Sequence, residues 1–187
     1  MDIGGGTTDI AVVEDGGVEG TKMFSIGGRS FTHQIAESLG VDFDTAEEYK
    51  LQYDSGKLDD RIKAKVETAV SRNISVWLTG IEVALEEFDN TNSLPRKVLL
   101  CGGGASLSQL QETLAISDWY KTLPFTRRPV IHLMDVAELP DLKNIEKFDL
   151  DHSFATALGL LRVGVDTLAG APEDHSLRGK IKKLLQN

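Results

Sequence analysis

One cysteine, Cys101, stands in 187 residues, so no internal disulfide can hold the chain, and its thiol usage fits a reducing cytoplasm. No apolar run approaches the length needed to cross a bilayer, and no signal peptide is expected ahead of Asp2. The four histidines, at 33, 132, 152 and 175, lack metal-ligand spacing, which argues against a zinc site. There is no internal repeat and no low-complexity segment. Positive charge is also short: the net charge of −9 argues against nucleic acid as a partner. What cation there is gathers at the end, where residues 176–187 carry Arg178, Lys180, Lys182 and Lys183 without an acid. Apolar residues make up 41% of the chain and recur periodically, which excludes disorder and indicates one globular domain, with room for two subdomains.

What is present is glycine in two clusters. Met1-Asp2-Ile3-Gly4-Gly5-Gly6-Thr7-Thr8-Asp9 opens the chain, and Leu99-Leu100-Cys101-Gly102-Gly103-Gly104-Ala105 follows some way on. Each reads as a buried strand running into backbone without Cβ atoms, which can approach a phosphate or a nucleoside closely. Two such turns in one small domain suggest one nucleotide held from two sides.

Between them the pattern alternates strand and helix. Ile10–Glu14 and Val18–Phe24 predict a hairpin through Asp15-Gly16-Gly17, making a meander with Asp2-Ile3. Phe31, Ile35 and Leu39 mark a helix closed by Gly40. Asp44 and Glu47 read as a capping box for a short helix to about Tyr53. From Asp59 to Phe88 one apolar stripe (Ile62, Val66, Val70, Ile74, Trp77, Ile81, Leu85, Phe88) predicts a long helix. A loop over Asn90–Pro95 follows, then a strand over Lys97–Cys101, a helix over Leu107–Leu114 and a strand over Val130–Met134. Phe154–Val165 reads as a helix whose small residues Ala155, Ala157 and Gly159 suit close packing on a sheet. This order predicts an α/β fold, a ribonuclease-H-like mixed sheet with flanking helices and a small helical insertion. The expected parts are a core of residues 1–43 and 96–165, an insertion of 44–95, and a linker with basic amphipathic tail over 166–187.

These segments resemble the actin, sugar kinase and Hsp70 superfamily, in particular bacterial actin-like ATPases of the FtsA and PilM type. Asp2 through Asp9 is similar to the second phosphate motif, and Leu99 through Ala105 to the adenosine motif. Ala46-Glu47-Glu48-Tyr49-Lys50 resembles the insertion helix whose Glu and Lys face the adenosine, and Phe154 through Leu160 the second connecting helix. The resemblance implies ATP or ADP with Mg²⁺ as ligands. Asp2 would orient the magnesium and the attacking water, and Gly4, Gly5, Gly6, Thr7 and Thr8 would wrap the β- and γ-phosphates. Gly102, Gly103 and Gly104 would lie against the adenosine. Asp9 reads either as a second magnesium-shell acid or as a solvent-facing strand carboxylate, and Glu47 either as a nucleoside contact or as a cap. Lys50, on the same helix, is not accounted for by capping. Trp77 reads as core and Cys101 as a small buried strand residue.

The first phosphate loop of a complete member is missing, so the resemblance implies the C-terminal lobe alone, a half-site expected not to hydrolyse ATP. Its expected work is cell division, as a cytoplasmic cytoskeletal adaptor that tethers partners at the inner face of the membrane. The alternatives are a PilM-like scaffold for type IV pilus assembly, which the short helical insertion resembles, or a small-molecule kinase lobe. Its implied partners are the N-terminal lobe, like subunits in a filament, and division or pilus proteins. Leu177, Ile181, Leu184 and Leu185 would form one stripe of a basic helix that either touches an anionic membrane or docks on protein.

Overall fold

The computed structural model describes residues 1–88, 93–139 and 149–168. Part of the predicted 90–95 loop, the predicted linker beyond Leu168 and the tail at 176–187 lie outside the described residues.

The first three strands form an antiparallel meander, β1 (Asp2–Ile3), β2 (Thr8–Glu14) and β3 (Gly17–Phe24). In β2, Thr8, Ile10 and Val12 are buried while Asp9 and Ala11 are exposed, the two-residue alternation of a sheet with one covered face. The hairpin turn needs only Asp15 and Gly16, whose φ angles of 49° and 81° give the turn whose twist matches its strands. β4 (Lys97–Leu100) and β5 (Val130–Leu133) pair in parallel. One parallel bridge, Asp2 to Cys101, joins the two sheets into the expected mixed sheet. At this seam the Ile3 N–H donates to the Cys101 carbonyl at 2.8 Å, and the Cys101 N–H to the Met1 carbonyl at 2.9 Å.

Helix α1 (Gly28–Leu39) ends in Gly40, and α2 (Phe43–Asp54) follows after a short link. The cap of α2 is Asp42, whose carboxylate accepts from the Thr45 N–H at 2.9 Å and the Thr45 hydroxyl at 2.7 Å. The Asp44–Glu47 capping box is therefore corrected: Asp42 closes the free N–H groups earlier and leaves Glu47 to other partners. Helix α3 (Asp60–Glu86) buries Val66, Val70, Ile74, Trp77, Ile81 and Leu85 as its periodicity predicts, packed on α1 and β3. A single apolar cluster runs from Ile3 and Phe31 through that stripe to Leu100, Leu110 and Leu114.

After β4 comes a 3-10 turn over Gly103–Ser106 and then helix α4 (Ser108–Ile116), which buries Leu110 and Leu114. The last helix among the described residues, α5 (Ala155–Leu168), departs from expectation. It runs three residues beyond the predicted end, and of its three small residues only Ala155 is buried. Ala155 and Leu158 join a small cluster with Cys101 and Val136, and the helix then leaves the sheet. Leu160, Leu161 and Leu168 are 69%, 59% and 91% exposed, so its apolar character is not spent on this sheet.

Candidate functional site

The two glycine clusters meet at the seam. A Cβ on Gly102 would fall 2.1 Å from Asp2 Oδ1 and 2.6 Å from the Ile3 carbonyl oxygen, and Gly102 has a φ of +84°. A Cβ on Gly104 would fall 2.7 Å from Ile3 Cγ2 and 2.8 Å from the Ile3 oxygen. These two glycines let the strand ends touch. Gly103 differs: nothing lies within 4 Å of its Cβ position. The start of α1 closes on the first turn, with the Gly28 N–H donating to the Gly4 carbonyl and the Arg29 N–H to the Gly5 carbonyl, both at 2.8 Å.

These backbones border an open cavity of about 380 Å³. Gly5, Gly28 and Arg29 line it from the first turn and α1, Glu47 and Lys50 from α2, and Gly103, Gly104 and Ser106 from the second turn. The chain thus brings Gly5, Glu47, Lys50, Gly103 and Gly104, all predicted from sequence, to one place.

Glu47 and Lys50 are locked to α1. Lys50 Nζ donates to Glu47 Oε2 at 2.7 Å, to Thr32 Oγ1 at 2.8 Å and to the Gly28 carbonyl at 3.2 Å. The Thr32 hydroxyl donates to Glu47 Oε2 at 2.5 Å. Burial is the largest single influence on Glu47 and favours its neutral form. The hydrogen bonds from Lys50 and Thr32, with the charges of Lys50 and Arg29, outweigh it and hold the carboxyl below its ordinary 4.5. A carboxyl whose folded pKa is depressed stabilises above its unfolded pKa and loses that contribution as pH falls through the folded one. Melting temperature should therefore fall more steeply on acidification below about 4.5 in the wild type than in Glu47→Gln. Parallel melting curves for the two proteins would show this network to be neutral if their pH dependence coincided.

Other predicted residues have different surroundings. Thr8 is fully buried; its hydroxyl donates to the Ile26 carbonyl at 2.8 Å and accepts from Trp77 Nε1 at 2.9 Å. The strand alternation turns this side chain into the core, so the hydroxyl expected on a phosphate is spent on Ile26 and Trp77. Trp77 is core, as read. Gly102 supports the seam and does not line the cavity, and Gly4 offers its carbonyl to Gly28. Gly6 is exposed with open space around it, and the Thr7 hydroxyl donates to Asp9 Oδ2 at 2.9 Å. Asp2 stands opposite Asp9 in the β1–β2 register, outside the cavity lining, and its Oδ2 accepts from the Thr156 hydroxyl at 2.5 Å. Cys101 is buried, and burial pushes its thiol pKa up, away from the thiolate that nucleophilic chemistry needs. Sequence reasoning missed Arg29, Thr32 and Ser106. Arg29 follows the Gly27-Gly28 pair directly, which was a usable signal; Ser106 and its 2.9 Å contact with His152 Nε2 had none.

A mixed sheet with two strand-end glycine turns meeting over a cavity, and a helical insertion across it, defines an actin-like ATPase domain. The sequence model of the family described as Cell division protein FtsA matches residues 1–159, and the chain belongs to that family. It is 41% identical over 59 residues to Cell division protein FtsA of Neisseria meningitidis serogroup B (32% of this chain, 14% of that protein). It is 43% identical over 53 residues to the Pseudomonas aeruginosa FtsA (28% of this chain, 13% of that protein). The matched segments are thus a small part of those relatives' length. Among solved structures, a chain of the PilM-PilN type IV pilus biogenesis complex superposes with a TM-score of 0.57 at 25% identity, covering 88% of this chain and 44% of the other. No helix among the described residues is long and apolar enough to cross a membrane.

Proposed function

We propose that the cavity holds an adenine nucleotide and that the chain is the nucleotide-binding C-terminal lobe of an actin-like protein serving cell division. The observation that carries this reading is Gly103: it lines the cavity, with room where a Cβ would be, between two glycines that the seam requires. A volume of about 380 Å³ lies within the range of small-molecule sites. Main chain at Gly103 and Gly104 would meet the nucleoside and the turn at Gly4, Gly5 and Gly6 the phosphates, with α2 closing the site through Lys50 and Glu47. Magnesium, when bound, would neutralise phosphate charge; Asp2 and Asp9, neighbours in register, fit its need for one or two carboxylates beside phosphate oxygens.

The division into residues 1–43 and 96–165 as core and 44–95 as insertion belongs to the same proposal. So does a second lobe or partner against the exposed apolar residues of α5. With the other jaw of the phosphate clamp contributed by that lobe, the chain alone would bind weakly and not turn over. Residues 176–187 would supply contact with the inner face of the cytoplasmic membrane. A PilM-like role in pilus assembly is the second reading, favoured by the fold shared with the PilM-PilN chain over 88% of the sequence.

Calorimetric titration of the chain with ATP and ADP in magnesium tests the site. Gly103→Val is expected to abolish binding while leaving the melting temperature unchanged, because its side chain enters the cavity and nothing else. Undiminished binding in Gly103→Val would place the ligand elsewhere, and phosphate release above background by the wild type would overturn the half-site.

A further inference from the structure

We propose that Arg29, which no motif assigns, holds the phosphate chain of the nucleotide and makes the cavity select nucleotides over nucleosides; this rests on the nucleotide reading above. The argument is one of unused donors. Two cations line the cavity, Lys50 and Arg29, with one acid, Glu47. An ammonium has three donors. Those of Lys50 go to Glu47, Thr32 and the Gly28 carbonyl, and its charge is paired with Glu47. Lys50 is a strut between α1 and α2, with nothing left for a ligand.

Arg29 has the opposite status. Its guanidinium makes no hydrogen bond or ion pair among the described residues, although it carries five N–H donors. It is not loose in position, however. The Arg29 N–H is anchored to the Gly5 carbonyl at 2.8 Å, and the guanidinium lies across the first glycine turn. A Cβ on Gly5 would sit 3.4 Å from Arg29 Nε and 3.6 Å from Cζ. The cavity therefore keeps one positive charge in excess of its acid, at the end bounded by Gly5. A protein of net charge −9 repels anions over most of its surface, so a guanidinium beside a glycine turn with all its N–H donors unused marks where an anion is taken. The planar fork suits phosphate oxygens, and the turn below it has no side chain to obstruct them.

Titration of the full chain with ADP and, separately, with adenosine tests the assignment. Arg29→Ala is expected to weaken ADP about tenfold, the scale of one lost charge-assisted contact, and to leave adenosine affinity unchanged. Arg29→Lys should fall between, keeping charge without the fork, and the salt dependence of ADP binding should flatten in Arg29→Ala. An exposed side chain without a hydrogen-bonded partner, acting on Glu47 only through its charge, leaves the melting temperature nearly as it was; should Arg29→Ala melt lower, Arg29→Gln keeps the stem and gives the same comparison. Unchanged ADP affinity, or equal loss for ADP and adenosine, would overturn the role of Arg29 and leave the nucleotide site standing. Failure of the wild type to bind either ligand would overturn both.

Discussion

Gly102→Ala is expected to cost about 3 kcal/mol or more of folding stability, whereas Gly103→Ala should stay within about 0.5 kcal/mol of the wild type. The two positions are adjacent and chemically identical. At Gly102, φ 84° and ψ 156° lie in a region that side chains essentially cannot adopt, and the added carbon would overlap Asp2 Oδ1 and the Ile3 oxygen. Backbone cannot yield there without opening the seam. Gly104→Ala should fail for the second reason alone, against Ile3. Urea unfolding followed by circular dichroism measures all three. A Gly102→Ala protein as stable as wild type would mean that the strand ends do not meet as described.

The second large effect is expected at Trp77. Trp77→Ala removes the largest fully buried side chain and should cost about 3–5 kcal/mol. Thr8→Val keeps the volume but leaves the indole N–H and the Ile26 carbonyl without their partner, a loss of about 1–3 kcal/mol. The double variant should lose less than the sum, because both single changes break the same 2.9 Å bond. Additive losses in the urea cycle would show that the indole and the hydroxyl contribute independently.

Much of this arrangement was legible in the residues. The stripe from Ile62 to Leu85 specified α3, the alternation in β2 specified its buried face, and the ordered motifs pointed to the actin-like fold. The alternation held more than was drawn from it: Thr8 shares parity with Ile10 and Val12, so its hydroxyl had to face the core. Glu47 was ambiguous for a physical reason. Asp42 with Thr45 and Asp44 with Glu47 have the same spacing, and only Thr32 and Lys50, brought close by the fold, decide between them. In α5, apolar composition was read as packing on the sheet, but composition does not say which surface covers a helix. Arg29 escaped because motif reasoning seeks glycines at a phosphate and not the cation lying over them.

The single bridge between Asp2 and Cys101 also governs how the molecule assembles. The meander and α1 are built from near neighbours, as are β4, α4 and β5, so each half can organise quickly by itself. Their junction, Asp2 with Cys101, must close a loop that takes in β2, β3, α1, α2 and α3, the slowest kind of contact a chain makes. Since Gly5 comes from one half and Gly103 from the other, the cavity does not exist in either alone. It comes into being only when the two are joined, and a ligand that settles in it holds that junction closed.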